Sequence, residues 1–223
     1  MSELQKKDEE ITLKPVKPSV FGMILNPSEQ FERLKSNPMV SIPFLLVTLI
    51  YTIGTGIMAF GMESSWLLAE LSPEEAELFA EIEMFMRIMV LVTGLFVPII
   101  GALVFAVIFI IIAKMSSSAV TFKKLLSIGL FVSVIGGLGV VFNAMMSTIF
   151  GTNPDIPFTS LAILFSENNS LSNLLISIEV FAIWQLIVTV KGLRKVANFG
   201  PALAWLSTIV FYFIGILFVV FVS

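Results

Sequence analysis

The chain has 223 residues, of which 57% are hydrophobic and only 13% are charged, and its mean hydropathy is +1.00. Soluble proteins carry about 25% charged residues, so this composition excludes a water-soluble globular protein and indicates one that crosses a membrane several times. The sequence contains no Cys and no His, which excludes disulfides, thiol and imidazole catalysis and the usual zinc and haem sites. The formal net charge of −3 gives no indication of nucleic-acid binding. We therefore predict no catalytic residues, no metal, no cofactor and no enzymatic activity.

The first segment of the chain is polar. Residues 1–25 are predicted to form a mobile cytoplasmic tail, and a short helix is predicted over 26–37. Asn26 suits the N-cap position of that helix, and a proline follows at the first helical position. Phe31 and Leu34 share one face, so we expect the helix to lie along the inner membrane surface. The alternative is a linker turn ahead of the first span.

The remainder, residues 38–223, is predicted to be a membrane domain. A bilayer core about 30 Å thick needs about 20 apolar residues in a helix. Five apolar stretches meet or approach that length: 42–61, 88–113, 125–150, 174–190 and 202–222. We therefore predict an all-α integral membrane protein, a bundle of five transmembrane helices preceded by the interfacial helix.

The orientation of the bundle follows from its basic residues, because Lys and Arg are retained on the cytoplasmic side of a membrane. With the N-terminus inside, 12 of the 13 Lys and Arg residues lie in the cytoplasm and only Arg87 lies outside. This predicts a multi-pass protein of the cell membrane with a cytoplasmic N-terminus and an extracytoplasmic C-terminus.

An acidic helix is predicted ahead of the second span. Ser72 and Glu75 have the spacing of a capping box, and apolar residues then recur at helical spacing into the span. The outer turns carry Glu74, Glu75, Glu77 and Glu81. These acids form either a surface for a basic partner or a solvated face. If they are only solvated, the helix around Phe31 and Leu34 is the next candidate for a partner surface. We favour the solvated face, because runs of charge are usually solvated.

Small residues form a stripe on the third span. Gly129, Ser133 and Gly137 recur every four residues, which predicts a seam where another helix packs closely. Passage of a ligand along the same stripe is the alternative.

One acid lies within a predicted span. Glu179 is a candidate functional residue, because a carboxylate inside a bilayer is costly. We expect it near the outer end of its span, at the depth of Asn143 and on the same face as Arg87. Structural pairing is the interpretation we favour, and proton or substrate handling is the alternative.

Several short segments, in their order and spacing, resemble bacterial members of the Yip family of five-span membrane proteins. They lie at residues 25–38, 122–127, 158–161, 178–184 and 192–196. The chain has Glu179 where the family more often has Asp. The resemblance implies a non-catalytic protein that engages other membrane proteins: eukaryotic relatives bind Rab GTPases, and a bacterial relative accompanies a MacAB-like ABC exporter.

From this resemblance we expect an accessory or assembly factor for a membrane transport complex, acting in toxin or envelope-stress tolerance. Its expected partners are the lipid bilayer and membrane proteins such as ABC exporter subunits. The alternative is that the bundle itself transports or scrambles a lipid, an ion or a small solute.

Overall fold

A computed structural model describes residues 16–61, 71–165 and 175–222. Within these ranges the secondary structure is helical, which confirms the predicted all-α class. The helices are α1 (Val20–Leu25), α2 (Pro27–Ser36), α3 (Ser41–Gly61), α4 (Pro73–Met115), α5 (Phe122–Phe150), α6 (Val180–Val196) and α7 (Pro201–Val222), with one 3-10 turn at Leu161–Leu164.

Three of these helices, α3, α4 and α5, are long and apolar enough to cross a membrane. Helices α6 and α7 have 17 and 22 residues and occupy the positions of the fourth and fifth predicted spans. The count of five spans therefore stays a prediction.

Helix α2 begins and ends where the sequence predicts, with the Asn26 side chain accepting from the backbone N–H of Glu29. Its expected surface position is wrong, however. Phe31 and Leu34 are fully buried in the protein core, so the apolar face of α2 is covered by protein and does not contact lipid. The Phe31 ring lies over Gly192 of α6, and the absence of a side chain there gives the ring its room.

The predicted mobile tail is also partly wrong. Residues 1–15 lie outside the described part of the chain, but α1 forms a helix within the predicted tail. Met23 of α1 is fully buried in the same core as Phe31. The backbone N–H of Ser19 donates to the buried Gln30 side chain at 2.8 Å, which fixes α1 against α2.

Helix α4 begins at the predicted capping box. The Ser72 hydroxyl accepts from the backbone of Glu75, and the Glu75 carboxylate accepts from the backbone of Ser72. The helix then continues for 43 residues without a break, as predicted. At 1.5 Å per residue it is about 64 Å long, roughly twice the thickness of a bilayer core. One end of α4 must therefore project from the bundle.

Helix α5 is the central helix and packs against α3, α4 and α6. Phe105 and Phe109 of α4 meet Phe211 of α7 at ring-centroid distances of 5.6 and 5.5 Å. Phe131 of α5 is fully buried in the same core. The core thus joins α4, α5 and α7 and continues to α1 and α2.

The fourth predicted span is displaced along the sequence. Helix α6 starts six residues later than predicted and runs to Val196, so Glu179 precedes the helix at the N-cap position. Glu179 forms an isolated antiparallel bridge with Ser160. The backbone N–H of Leu161 donates to the carbonyl of Ile178 at 3.0 Å. Ile178, just before Glu179, therefore pairs with the loop that follows α5 and does not extend α6.

Candidate functional site

The small-residue stripe of α5 serves two different helices. A side chain at Gly137 would meet Ile50 and Tyr51 of α3, whereas one at Gly129 would meet Phe105 and Ala102 of α4. Gly129 and Gly137 therefore both lie at close helix contacts, but at contacts with different partners. The prediction of a single continuous seam is wrong at its centre, because the residue between them faces a cavity.

That residue is Ser133, and the cavity, here called the central pocket, has a volume of about 230 Å³. Residues from all five long helices line it. They are Tyr51 of α3, Val97, Pro98, Gly101, Ala102 and Phe105 of α4, Gly129, Val132 and Ser133 of α5, Gln185 and Thr189 of α6, and Phe211 and Tyr212 of α7.

Neutral polar groups line one part of the central pocket. The Tyr212 hydroxyl lies 3.5 Å from both the Gln185 Oε1 atom and the Thr189 hydroxyl oxygen. Gly136 of α5 provides the space for this group, since a side chain there would overlap the Gln185 amide and lie 2.5 Å from the Tyr51 hydroxyl oxygen. Among the described residues, the lining contains Tyr, Ser, Thr and Gln side chains and no Asp, Glu, Lys or Arg. It is suited to hydroxyl, ester or amide groups.

The sequence analysis missed Tyr51, Gly136, Gln185 and Tyr212. All four lie in apolar spans, and three are neutral hydrogen-bonding residues that a bilayer core disfavours without partners. Their polarity was the feature of the sequence that could have identified them. Polarity does not show by itself that residues from four separate spans meet at one pocket.

Glu179 lies in a separate cluster with Asn143 and Thr159, the outer polar cluster. The Thr159 hydroxyl lies 2.8 Å from Glu179 Oε2, and the Asn143 amide donates to the same oxygen at 3.1 Å. The backbone N–H of Thr159 donates to Asn143 Oδ1 at 3.0 Å. Glu179 and Asn143 therefore lie together, as expected, and they fasten the outer loop to α5 and α6. Glu179 is not among the residues that line the central pocket.

Arg87 joins α4 to the end of α3 instead of pairing with Glu179. Its guanidinium donates to Glu83 at 2.7 and 3.1 Å and to the carbonyl oxygen of Ala59. It also lies 5.9 Å from the centre of the Phe60 ring. Between the two described residues Arg87 and Glu179 there is no ion pair, so the structural pairing of Glu179 uses neutral donors.

The projecting end of α4 is residues 73–86, here called the outer extension. It precedes Arg87, whose contact with Ala59 marks the level at which α3 ends. At 1.5 Å per residue it is about 21 Å long. The acids Glu74, Glu75, Glu77 and Glu81 are exposed on it, as expected from the sequence.

An apolar seam runs along the outer extension, on the face opposite Arg87, and continues to Met89 at the start of the predicted second span. Leu78, Ile82, Phe85 and Met89 are between 43% and 63% exposed. Their spacing of four, three and four residues is that of the d and a positions of a coiled coil. Glu74 and Glu81 then occupy g positions at its edge, and Arg87 lies on the opposite face of the helix. By contrast, Phe31 and Leu34 are buried, so their assignment to a partner surface is wrong.

Comparison with known proteins identifies the family. A model of the Yip1 domain matches residues 21–223. Membrane protein YknW of Bacillus subtilis (strain 168) is 34% identical over 211 residues, which cover 92% of this chain and 90% of YknW. No solved structure matches. The predicted resemblance is therefore confirmed, and the chain belongs to the Yip1 family of membrane proteins.

Proposed function

We propose that this protein is a non-catalytic accessory or assembly factor for a membrane transport complex, an ABC exporter, and that it acts in toxin or envelope-stress tolerance. The link to an exporter rests on the expectation from the family. The structural feature that supports a partner is the exposed apolar seam of the outer extension.

The seam favours another helix as its partner. An exposed row of Leu78, Ile82 and Phe85 over two turns gives a segment in water no benefit, whereas a second helix would remove those side chains from water. Each such side chain contributes about 1.5–3 kcal/mol when fully buried. The flanking acids Glu74 and Glu81 favour a partner helix with Lys or Arg at the facing positions, since e and g charges select the partner in coiled coils.

The proposed topology places this seam outside the cell membrane. Five spans with a cytoplasmic N-terminus put the loop between α3 and α4 on the outer side, together with the outer polar cluster. A transport complex that acts on the envelope would then be contacted from its extracytoplasmic side.

To test this function, the full chain is purified from its native membrane in mild detergent. The proteins that co-purify with it in stoichiometric amounts are then identified by mass spectrometry. Two neighbouring variants supply the contrast. Phe85→Ala removes a seam residue, whereas Met84→Ala removes a side chain that is as exposed, at 61% against 63%, but lies off the seam. We expect the companion to be lost with Phe85→Ala and retained with Met84→Ala. Retention with both variants would contradict the proposal.

Charge is tested separately. Changing Glu74, Glu75, Glu77 and Glu81 to Gln preserves helix propensity and removes four charges. Association with a basic partner should then slow and depend less on salt, because charge complementarity acts mainly on the encounter rate. Unchanged rates would mean that the acids are only solvated.

The central pocket favours a second candidate function, transport or scrambling by the bundle itself. A cavity that is lined by all five long helices, apolar in most of its lining and with a few neutral polar groups, is the kind of site that a lipid or small solute would need. Purified protein reconstituted alone in vesicles should then move a fluorescent phospholipid between leaflets. Gly136→Leu should abolish the movement, because a side chain there would overlap the Gln185 amide and displace this polar group of the pocket. Gly215→Leu is the control, because nothing lies within 4 Å of that position. Movement that Gly136→Leu leaves unchanged would exclude this route.

A further inference from the structure

A second cavity, here called the basic pocket, lies where α2, α6 and α7 meet. Its volume is about 380 Å³, and it is lined by Ser28, Lys191, Arg194, Lys195, Phe199 and Pro201. The three basic residues have the spacing i, i+3 and i+4, which places them on one face of the last turns of α6. Ser28 lies in the first turn of α2, where backbone N–H groups lack intrahelical acceptors.

The charge of the basic pocket is only partly balanced. Lys195 donates to Glu32 at 2.6 Å, so one cation has a carboxylate partner. Lys191 and Arg194 make no ion pair with any residue in the described part of the chain. Lys191 and Arg194 therefore leave two positive charges unbalanced by an ion pair among the described residues, and the positive end of the α2 dipole lies beside them.

The usual explanation for such residues is topological, because Lys and Arg flank the cytoplasmic ends of membrane helices in general. Lys123 and Lys124 at the start of α5 fit that explanation, since neither lines the basic pocket. Lys191 and Arg194 differ from them in facing a cavity with an apolar part, formed by Phe199 and Pro201.

The position of the basic pocket indicates what it binds. Pro201 is the first residue of the apolar helix α7, so the pocket lies at the end of the predicted fifth span. Trp205, one turn further along, is 42% exposed, and Trp side chains are enriched at the level of lipid headgroups. An anion held here would have its charge beside Lys191 and Arg194 and its apolar part beside Phe199.

We propose that the basic pocket binds the phosphodiester of an anionic glycerophospholipid from the leaflet at this end of the bundle. The Arg194 guanidinium suits two phosphate oxygens at once, and the Lys191 ammonium provides a further charge. Ser28, in the first turn of α2, completes the lining of the site. A bound lipid would then connect α2 to the ends of α6 and α7, in addition to the contact of Phe31 with Gly192 of α6.

The test uses the full chain in neutral detergent micelles, where there is no charged surface to attract a lipid nonspecifically. Binding of phosphatidylglycerol, of phosphatidylcholine with the same acyl chains, of glycerol phosphate and of inorganic phosphate is measured by native mass spectrometry and by thermal stabilisation. We expect phosphatidylglycerol to bind at least tenfold more tightly than each of the other three. Equal affinity for inorganic phosphate would overturn the proposal in favour of a soluble anion site.

Two double variants locate the binding. Lys191→Gln with Arg194→Gln removes two cations from the pocket, and Lys123→Gln with Lys124→Gln removes the same charge from the same end of the bundle. We expect the first pair to weaken phosphatidylglycerol binding about 10- to 30-fold, from two lost charges, and the second pair to change it less than twofold. Equal effects of the two pairs, or no effect of the first, would refute the pocket as the site.

A third variant keeps the test decisive if the α6 double variant fails to fold. Ser28→Glu introduces an acid at the pocket and leaves α6 unchanged, and an acid near a helix N-terminus stabilises the helix. It should weaken phosphatidylglycerol binding by repulsion without lowering the unfolding temperature of the lipid-free protein. Undiminished binding by this variant would also overturn the proposal.

Discussion

Replacement of Gly137 by Ala gives a quantitative test of the contact between α3 and α5. The added methyl group would lie 2.8 Å from Cγ2 of Ile50 and 3.0 Å from two ring carbons of Tyr51. Carbon atoms pack at about 3.5–4.0 Å, so the two helices must separate by roughly 0.5–1 Å. Overpacking of this kind costs about 1–3 kcal/mol in a close-packed interior. The gain in helix propensity from Gly to Ala offsets about 0.5–1 kcal/mol of that cost.

Gly215→Ala is the matched control, because it has the same gain in propensity and meets nothing within 4 Å. The difference between the two variants therefore isolates the packing cost, which we expect to be about 1–3 kcal/mol. Both are measured by unfolding the detergent-solubilised protein with increasing fractions of SDS, followed by circular dichroism. If the two variants unfold at the same SDS fraction, α3 and α5 do not pack closely at Gly137 and the reasoning fails.

Three further predictions concern topology, the outer polar cluster and pH. A reporter that is active only outside the cytoplasm should be active when fused after Ser223, and activity of a cytoplasmic reporter there would refute the count of five spans. Glu179→Gln keeps an oxygen that accepts from Thr159 and should lower the free energy of unfolding by about 1 kcal/mol. Asn143→Leu leaves the backbone N–H of Thr159 without its acceptor and should lower it by about 1–3 kcal/mol in the same unfolding assay. Equal losses from the two would show that the charge of Glu179 matters in itself. The hydrogen bond from Lys195 holds the pKa of the Glu32 carboxyl below its ordinary value of 4.5. The contribution of this pair to the stability of the fold is therefore complete above pH 4.5, and it is lost as the pH falls through the lower pKa of the folded state. Both side chains are about half exposed, so Glu32→Gln should cost at most about 1 kcal/mol at neutral pH and remove this part of the acid sensitivity.

Local signals in the sequence predicted the starts of helices well. The capping residues Asn26 and Ser72 act on backbone groups within three positions of themselves, so their effect depends little on the rest of the fold. The continuous helix from the outer extension into the second span was predicted for a similar reason, since helical periodicity is a property of the local sequence.

Hydrophobicity alone could not show what covers an apolar side chain. Phe31 and Leu34 have the pattern of a face that contacts lipid, but the same pattern serves packing against α5 and α6. The stretch before Glu179 was counted as part of a span, yet Ile178 pairs with the loop that follows α5. In both cases the deciding contact comes from residues distant in sequence.

The stripe on α5 illustrates the same limit at a single helix face. Spacing placed Gly129, Ser133 and Gly137 correctly on one side of the helix. It could not show that Gly137 contacts α3 and Gly129 contacts α4, with Ser133 between them beside a cavity. Gly136, one position away, holds space for side chains from α3 and α6 and carries no signal until those helices are in place.

The docking of α2 onto α6 has a consequence for synthesis of the protein. Glu32 and Lys195, which pair across this contact, are 163 residues apart in the chain. At about 5–20 residues per second, α2 leaves the ribosome roughly 8–33 s before α6 is made. During that interval Phe31 and Leu34 lack their contacts with α6, and a membrane surface is an apolar phase that can cover the part of the face left open. The arrival of α6 then completes the cover of this face, since Phe31 packs over Gly192 of that helix.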